Sequence, residues 1–130
     1  RSSNVTGVQT CALPISAVIH VIEGETLTWM TAAEVLFLKA EAGLRGWIGS
    51  GSVLANYEAG VTASFAQHGV AGVSDYLADD TSVPADFVDA LSAANNIAYA
   101  SDVKIAFNLA GTDEQQLEQI ITQKWIAGIH

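Results

Sequence analysis

The stretch Thr31–Gly46, TAAEVLFLKAEAGLRG, constrains the fold of this chain more than any other. It carries a start signal, an apolar period and a stop signal for one helix. The Thr31 hydroxyl is placed to accept from the Glu34 N–H, and the Glu34 carboxylate to accept from the Thr31 N–H, so two orphan donors are satisfied reciprocally. Ala33, Leu36, Phe37, Ala40 and Leu44 fall on one face at helical spacing. Val35, Leu38 and Ala42 widen that face, which predicts packing on more than one side. Gly46 suits the left-handed residue that ends a helix. Glu41 and Arg45 form an i,i+4 pair in the favourable order, worth roughly 0.2–0.5 kcal/mol.

A second helix follows after a short turn. Trp47–Gly51, WIGSG, is polar and glycine-rich, and Ser52 is a capping residue for a helix over about 52–68. Leu54, Tyr57, Val61 and Phe65 share a face, flanked by Ala55, Ala59, Ala63 and Ala66, whose small size permits close approach of another helix. Gly69 supplies the stop, with Val70 packing back on Phe65 in a Schellman arrangement. His68 at the helix end is accounted for by the helix dipole. Helices joined by so short a turn are antiparallel neighbours. The hairpin has about the length of a tetratricopeptide unit, roughly 34 residues, although no second copy is present. Such a unit cannot bury both of its faces alone.

The remainder is less regular. Tyr76 and Leu77 suggest a short helical turn. Pro84 suits a first helical position, with Phe87, Val88 and Leu91 as an apolar face, and Asn95–Asn96 marks a break. Val103, Ile105 and Phe107 alternate as in a strand. Thr112–Gln115 is a second capping box, with acids in the first turn, and opens a third helix over about 113–128. Its apolar set is Leu117, Ile120, Ile121 and Trp125.

Val5–Ile15, VTGVQTCALPI, resembles the in-frame translation of a sequencing-library adapter oligonucleotide. Residues 1–16 are therefore expected to be adapter-derived, and 17–130 to be part of a larger domain. The one cysteine, Cys11, falls in the adapter-like part, so no thiol or Cys-based metal site is expected in the rest. Ala17–Ile22 has the β-branched character of a short strand, and His20 stands there without further metal ligands at suitable spacing.

Charge narrows the partners. Fourteen acids against five bases give −9, or −10 without Arg1. Such a surface repels phosphate, which argues against nucleic acid and against an anionic lipid surface. No apolar run is long enough to span a membrane. A neutral ligand or a protein partner fits better.

Catalysis would need convergent titratable groups. His20, His68 and His130 are far apart in sequence, and no nucleophile-elbow or triad pattern is present. Glu34 and Glu41 share a helix side, but the Glu-x-x-His pairs of a carboxylate-bridged metal site are missing, so capping and surface pairing account for them. Asp75, Asp79, Asp80, Asp86 and Asp89 form an acidic neighbourhood without the EF-hand pattern, read as a solvated loop. The glycine-rich WIGSG lacks the lysine of a phosphate loop. No cofactor and no metal are expected. Among the aromatics, Tyr57 and Trp125 fit the core. Trp29 and Trp47 flank the first helix and are the candidates for offering a face to a sugar ring.

AEVLFLKAEAGLRGW, YEAGVTASFAQHGV and QLEQIITQKWIAGIH, in that order and separation, resemble the SusD/RagB family of bacterial outer-membrane nutrient-binding lipoproteins. The resemblance covers most of residues 27–130, and 71–111 only loosely. It implies an all-α fold with tetratricopeptide-like helical hairpins inside a larger superhelix. It implies a lipid anchor at the cell surface, with membrane attachment only through that anchor. It also implies capture of glycans, or in some members peptides, for a TonB-dependent (SusC-like) transporter, without catalysis. The anchor cysteine and much of the ligand-binding region would lie outside this chain, so no binding residue is carried over. The alternative is a helical-repeat module that binds a protein and no glycan. In either case the chain alone is expected to expose apolar surface and to be poorly folded or to self-associate.

The adapter reading is tested on the nucleotides. Codons 5–15 are expected to spell the adapter oligonucleotide, and an ordinary gene sequence there would overturn it.

Overall fold

A computed structural model describes residues 28–129. The adapter-like stretch, Cys11, the strand expected at Ala17–Ile22, His20 and His130 lie outside the described residues. The architecture is all-α. Helix α1 is Ala32–Leu44, α2 is Val53–His68, α3 is Val73–Leu77, and α4 is Asp113–Ala127, with one turn of 3₁₀ helix at Ala93–Asn95.

The ends of these helices follow from their sequences. Thr31 is extended and accepts from the Glu34 N–H at 3.1 Å. At the other end Gly46 takes φ 71°. Its N–H donates to the Gly43 carbonyl at 3.0 Å and that of Trp47 to Ala42 at 2.9 Å, a Schellman closure. Ser52 caps α2 through the Ala55 N–H, and Gly69, at φ 64°, closes it with the Val70 N–H on Phe65 at 2.9 Å. The full reciprocal capping box forms at Thr112 and Gln115. Glu41 and Arg45 form the expected ion pair at 2.8 Å.

Three helices meet in the core. Ala33, Phe37 and Ala40 of α1, Tyr57 and Val61 of α2, and Ile120 and Ala127 of α4 are buried together. Leu44, Val53, Phe65, Tyr76, Leu77 and Phe107 are half-buried around them. The hairpin is antiparallel: Gly43 lies against Val53 near the turn, whereas Phe37, earlier in α1, lies against Gly60, later in α2. A Cβ on Gly60 would sit 2.9 Å from two atoms of the Phe37 ring. Phe37 in turn meets Tyr57 edge-on, with centroids 6.1 Å apart at 72°. The bare backbone at residue 60 is therefore what lets the ring seat between the helices.

Three sequence expectations are corrected. No helix forms over 84–91. Asp89 instead takes the Leu91 N–H at 2.7 Å and the Ser92 N–H at 3.3 Å, and Phe87 and Ile97 form an isolated antiparallel bridge. Carboxylate side chains that bond nearby amides offer the backbone an alternative to the helix, and here it wins. Val103–Phe107 is irregular, not a strand, because the side chains of α4 and α2 take its carbonyls. Ile121 and Trp125 are 51% and 70% exposed, so Trp125 is not in the core. The buried face of α4 is Gln116, Gln119, Ile120, Gln123 and Ala127.

The ring-on-glycine contact has a signature in a double-mutant cycle. Phe37→Ala is expected to destabilise by about 3–5 kcal/mol. Gly60→Ala should destabilise by about 1 kcal/mol, overpacking exceeding the helix propensity gained. With Phe37→Ala already present, Gly60→Ala should become neutral or stabilising by up to about 1 kcal/mol. Urea unfolding followed by circular dichroism at low protein concentration reads all three, and additivity would contradict the contact.

Candidate ligand-facing surfaces

A hollow of about 410 Å³ lies between α4 and the segment around 102–108. Gln115, Glu118 and Gln119 project into it from one face of α4, opposite Asp80, Asp102, Lys104, Phe107 and Asn108. Its walls are held by polar side chains that are themselves buried. The Gln119 amide donates to the Lys104 carbonyl at 2.9 Å and the Ala106 carbonyl at 2.8 Å, and its oxygen accepts from the Asn108 N–H at 3.0 Å. Gln116 donates to the Leu109 and Gly111 carbonyls, both at 3.2 Å. The Tyr57 hydroxyl donates to the Ile105 carbonyl at 2.6 Å, while its ring lies 4.8 Å from that of Phe107. Burial, with a smaller contribution from Tyr76, pushes the Tyr57 phenol far above its ordinary pKa, so it remains a donor. Tyr76 donates to Gln123 at 3.0 Å.

Most of the polar groups in the hollow are thus already engaged. Gln115 serves the capping box, Lys104 donates to the Thr81 carbonyl at 2.9 Å, and Ser101 donates to Glu118. Asp80 and Asp102 add acidic character, so the hollow disfavours anions.

The acidic neighbourhood builds turns. One Asp79 oxygen accepts from the Thr81 N–H, the Thr81 hydroxyl and the Ser82 N–H, each at 2.9 Å. Ser82, followed by Thr81, holds the Asp79 carboxyl well below its usual range. Asp89 is held lower chiefly by the Asn95 amide, with help from Leu91. Asp86 accepts from the Tyr99 N–H at 2.9 Å. A downward displacement is the wrong direction for a general acid. Among the described residues no group of three or more His, Cys, Asp or Glu is placed to hold a metal ion.

The two tryptophans sit at opposite ends of α1. Trp29 is 90% exposed and lines a second hollow of about 300 Å³ with Thr31, Glu34, Lys124 and Gly128. Trp47 is 65% exposed, just beyond the Schellman closure. The helix between them is roughly 20 Å long at 1.5 Å per residue. One sugar ring therefore cannot stack on both. Sequence reasoning missed the glutamines Gln116, Gln119 and Gln123. Their signal is present as helical spacing alongside Ile120 and Ala127, but polarity alone places such residues on the outside.

Geometry defines an all-α scaffold: an antiparallel hairpin braced by a third helix, with an irregular segment hung from its side chains. The chain belongs to the SusD/RagB family. The model of the SusD-like family, described as Susd and RagB outer membrane lipoprotein, matches residues 3–129. Among solved structures, a SusD-like protein from Bacteroides thetaiotaomicron is 45% identical with a TM-score of 0.72, covering 76% of this chain and 21% of that chain. A chitin-binding SusD homologue from Flavobacterium johnsoniae is 48% identical with a TM-score of 0.73, covering 77% of this chain and 21% of that one. A SusD homologue from Bacteroides uniformis is 42% identical with a TM-score of 0.70, covering 80% and 22%. The chain thus spans about a fifth of the length of these structures. No curated protein matches it.

The Asp79 turn predicts a pH response. A carboxylate with a depressed folded-state pKa contributes stability that is present above the unfolded value and is lost as pH falls through the folded one. The amide shifts of Thr81 and Ser82 should therefore hold through pH 4, near the ordinary value of about 3.9, and move only well below it. Asp79→Asn should shift them at neutral pH. NMR titration reads both, and movement centred near pH 4 in the wild type would contradict the anchored turn.

Proposed function

We propose that this chain is a scaffold piece of a cell-surface nutrient-binding lipoprotein that captures oligosaccharide for a TonB-dependent, SusC-like transporter. The observation that carries the reading is the 48% identity and TM-score of 0.73 to a chitin-binding homologue. A family described as outer membrane lipoproteins supports the location, with a lipid anchor as the attachment. Glycan is favoured over peptide as the ligand for the same reason. An acidic chain also suits a neutral ligand. Binding rather than catalysis is the role this reading assigns, on the likeness to a chitin-binding homologue.

The full-length gene product is the object to test. It is expected to be retained on insoluble chitin or another insoluble glycan, to release no reducing sugar from it, and to co-purify with a transporter encoded beside it. Retention with release of sugar would make it an enzyme. Failure to bind any glycan, together with capture of a protein by the helical surface, would favour the protein-binding alternative.

A further inference from the structure

Two exposed aromatic rings are brought together on the irregular part of the chain. Phe37, Tyr57, Phe65, Tyr76 and Phe107 are spent in ring contacts with one another. Phe87 and Tyr99 make no ring contact among the described residues and are 58% and 45% exposed. Phe87 is paired with Ile97: the two exchange both backbone hydrogen bonds, at 2.9 and 3.0 Å. Side chains opposite each other in an antiparallel pair share a side. Tyr99 lies two residues beyond Ile97 on a stretch without turn or bend, so the period of an extended chain returns its ring to that side. It is then the diagonal neighbour of Phe87, close enough for both rings to meet one ligand. The backbone that carries them is fixed in advance. The Asp86 carboxylate accepts from the Tyr99 N–H at 2.9 Å. Asp89 accepts from the Leu91 N–H at 2.7 Å and the Asn95 side-chain amide at 2.8 Å, and Asn96 accepts from the Asp89 N–H at 2.9 Å. Polar contacts hold this loop, so its apolar side chains need not be buried to order it. A ligand does not bear the cost of that ordering.

From this arrangement we infer that Phe87 and Tyr99 form a contact face for a neutral glycan chain, an inference that rests on the proposed function and gives it residues. The rings pack against the C–H faces of sugar rings, and polar groups at their edge bond the hydroxyls. Those groups are free: the Tyr99 hydroxyl and the second Asp86 carboxylate oxygen have no partner among the described residues. Charge selects the ligand. Residues 79–102 carry Asp79, Asp80, Asp86, Asp89 and Asp102 and no lysine or arginine, so an anionic glycan is repelled. Shape selects it too. Neither ring lines the hollows described above, and an open face suits a chain laid along it better than a single sugar enclosed on all sides.

The test uses the full-length gene product on insoluble chitin, or on cellulose where chitin does not retain the wild type. Phe87→Ala and Tyr99→Ala should each weaken retention about tenfold, and together abolish it. Tyr99→Phe keeps the ring and should cost only about threefold. Leu91→Ala, 97% exposed on the loop between them, should leave retention unchanged. Circular dichroism and the unfolding midpoint should stay at wild-type values in every variant. Retention should not depend on salt, because the ligand carries no charge. Unchanged retention in the double variant would overturn the inference while leaving the proposed function standing. A lowered midpoint would mean that the rings are packed within the full-length chain, and salt-sensitive retention that the ligand is charged; either overturns it. Wild-type protein retained on neither glycan would sink the face and count against the proposed function as well.

Discussion

The Phe37 ring seated on the bare backbone of Gly60 is the contact on which the rest of the structure depends. It sets how closely α1 and α2 approach, because a side chain at residue 60 would occupy the space the ring fills. It also fixes Tyr57, whose ring Phe37 meets edge-on. Tyr57 then reaches out of the hairpin to the Ile105 carbonyl and the Phe107 ring, so one buried pair organises a segment far along the chain. Fully buried aromatic rings contribute through area and through their preferred edge-on geometry together.

The second constraint is polar. Residues 101–111 lack a helix or strand of their own, so their backbone groups need other partners. Gln116 and Gln119 supply them. A glutamine amide offers two donors and an acceptor without charge, so it can be buried where a lysine or glutamate would suffer the full cost of desolvation. The side of α4 facing this segment therefore trades apolar contact for fixed hydrogen bonds. The same trade is visible at Asp79 and Asp89, which hold surface turns by taking amide protons.

Much of the helical framework was legible in the sequence, because caps and stops are local chemistry. Thr31, Ser52 and Thr112 each accept the amide that their position predicts. Gly46 and Gly69 take the left-handed conformation that the stop signals require. What was not legible depends on contacts distant in sequence. The apolar stripe of α4 pointed to Trp125, whereas the glutamine side was buried, because the carbonyls it serves lie on another segment. Pro84, Phe87 and Leu91 spelled a helix start and face, yet Asp89 and Asn96 accept from the Leu91 and Asp89 amides instead. The tryptophans flanking α1 were legible as exposed aromatics, but their placement at opposite helix ends is a fact of the fold.

These constraints bear on where ligand capture resides in a family-length protein. A binding site needs polar groups that are free to bond the ligand and aromatic faces that converge. Here Gln115, Gln119, Lys104 and Glu118 are already engaged in holding the chain together. Trp29 and Trp47 diverge along α1. The motifs that mark the family in this chain lie mainly on helices whose side chains either fill the core or are exposed. In the proposed reading, such a scaffold serves recognition by fixing the position of its helices and of the segment hung from them.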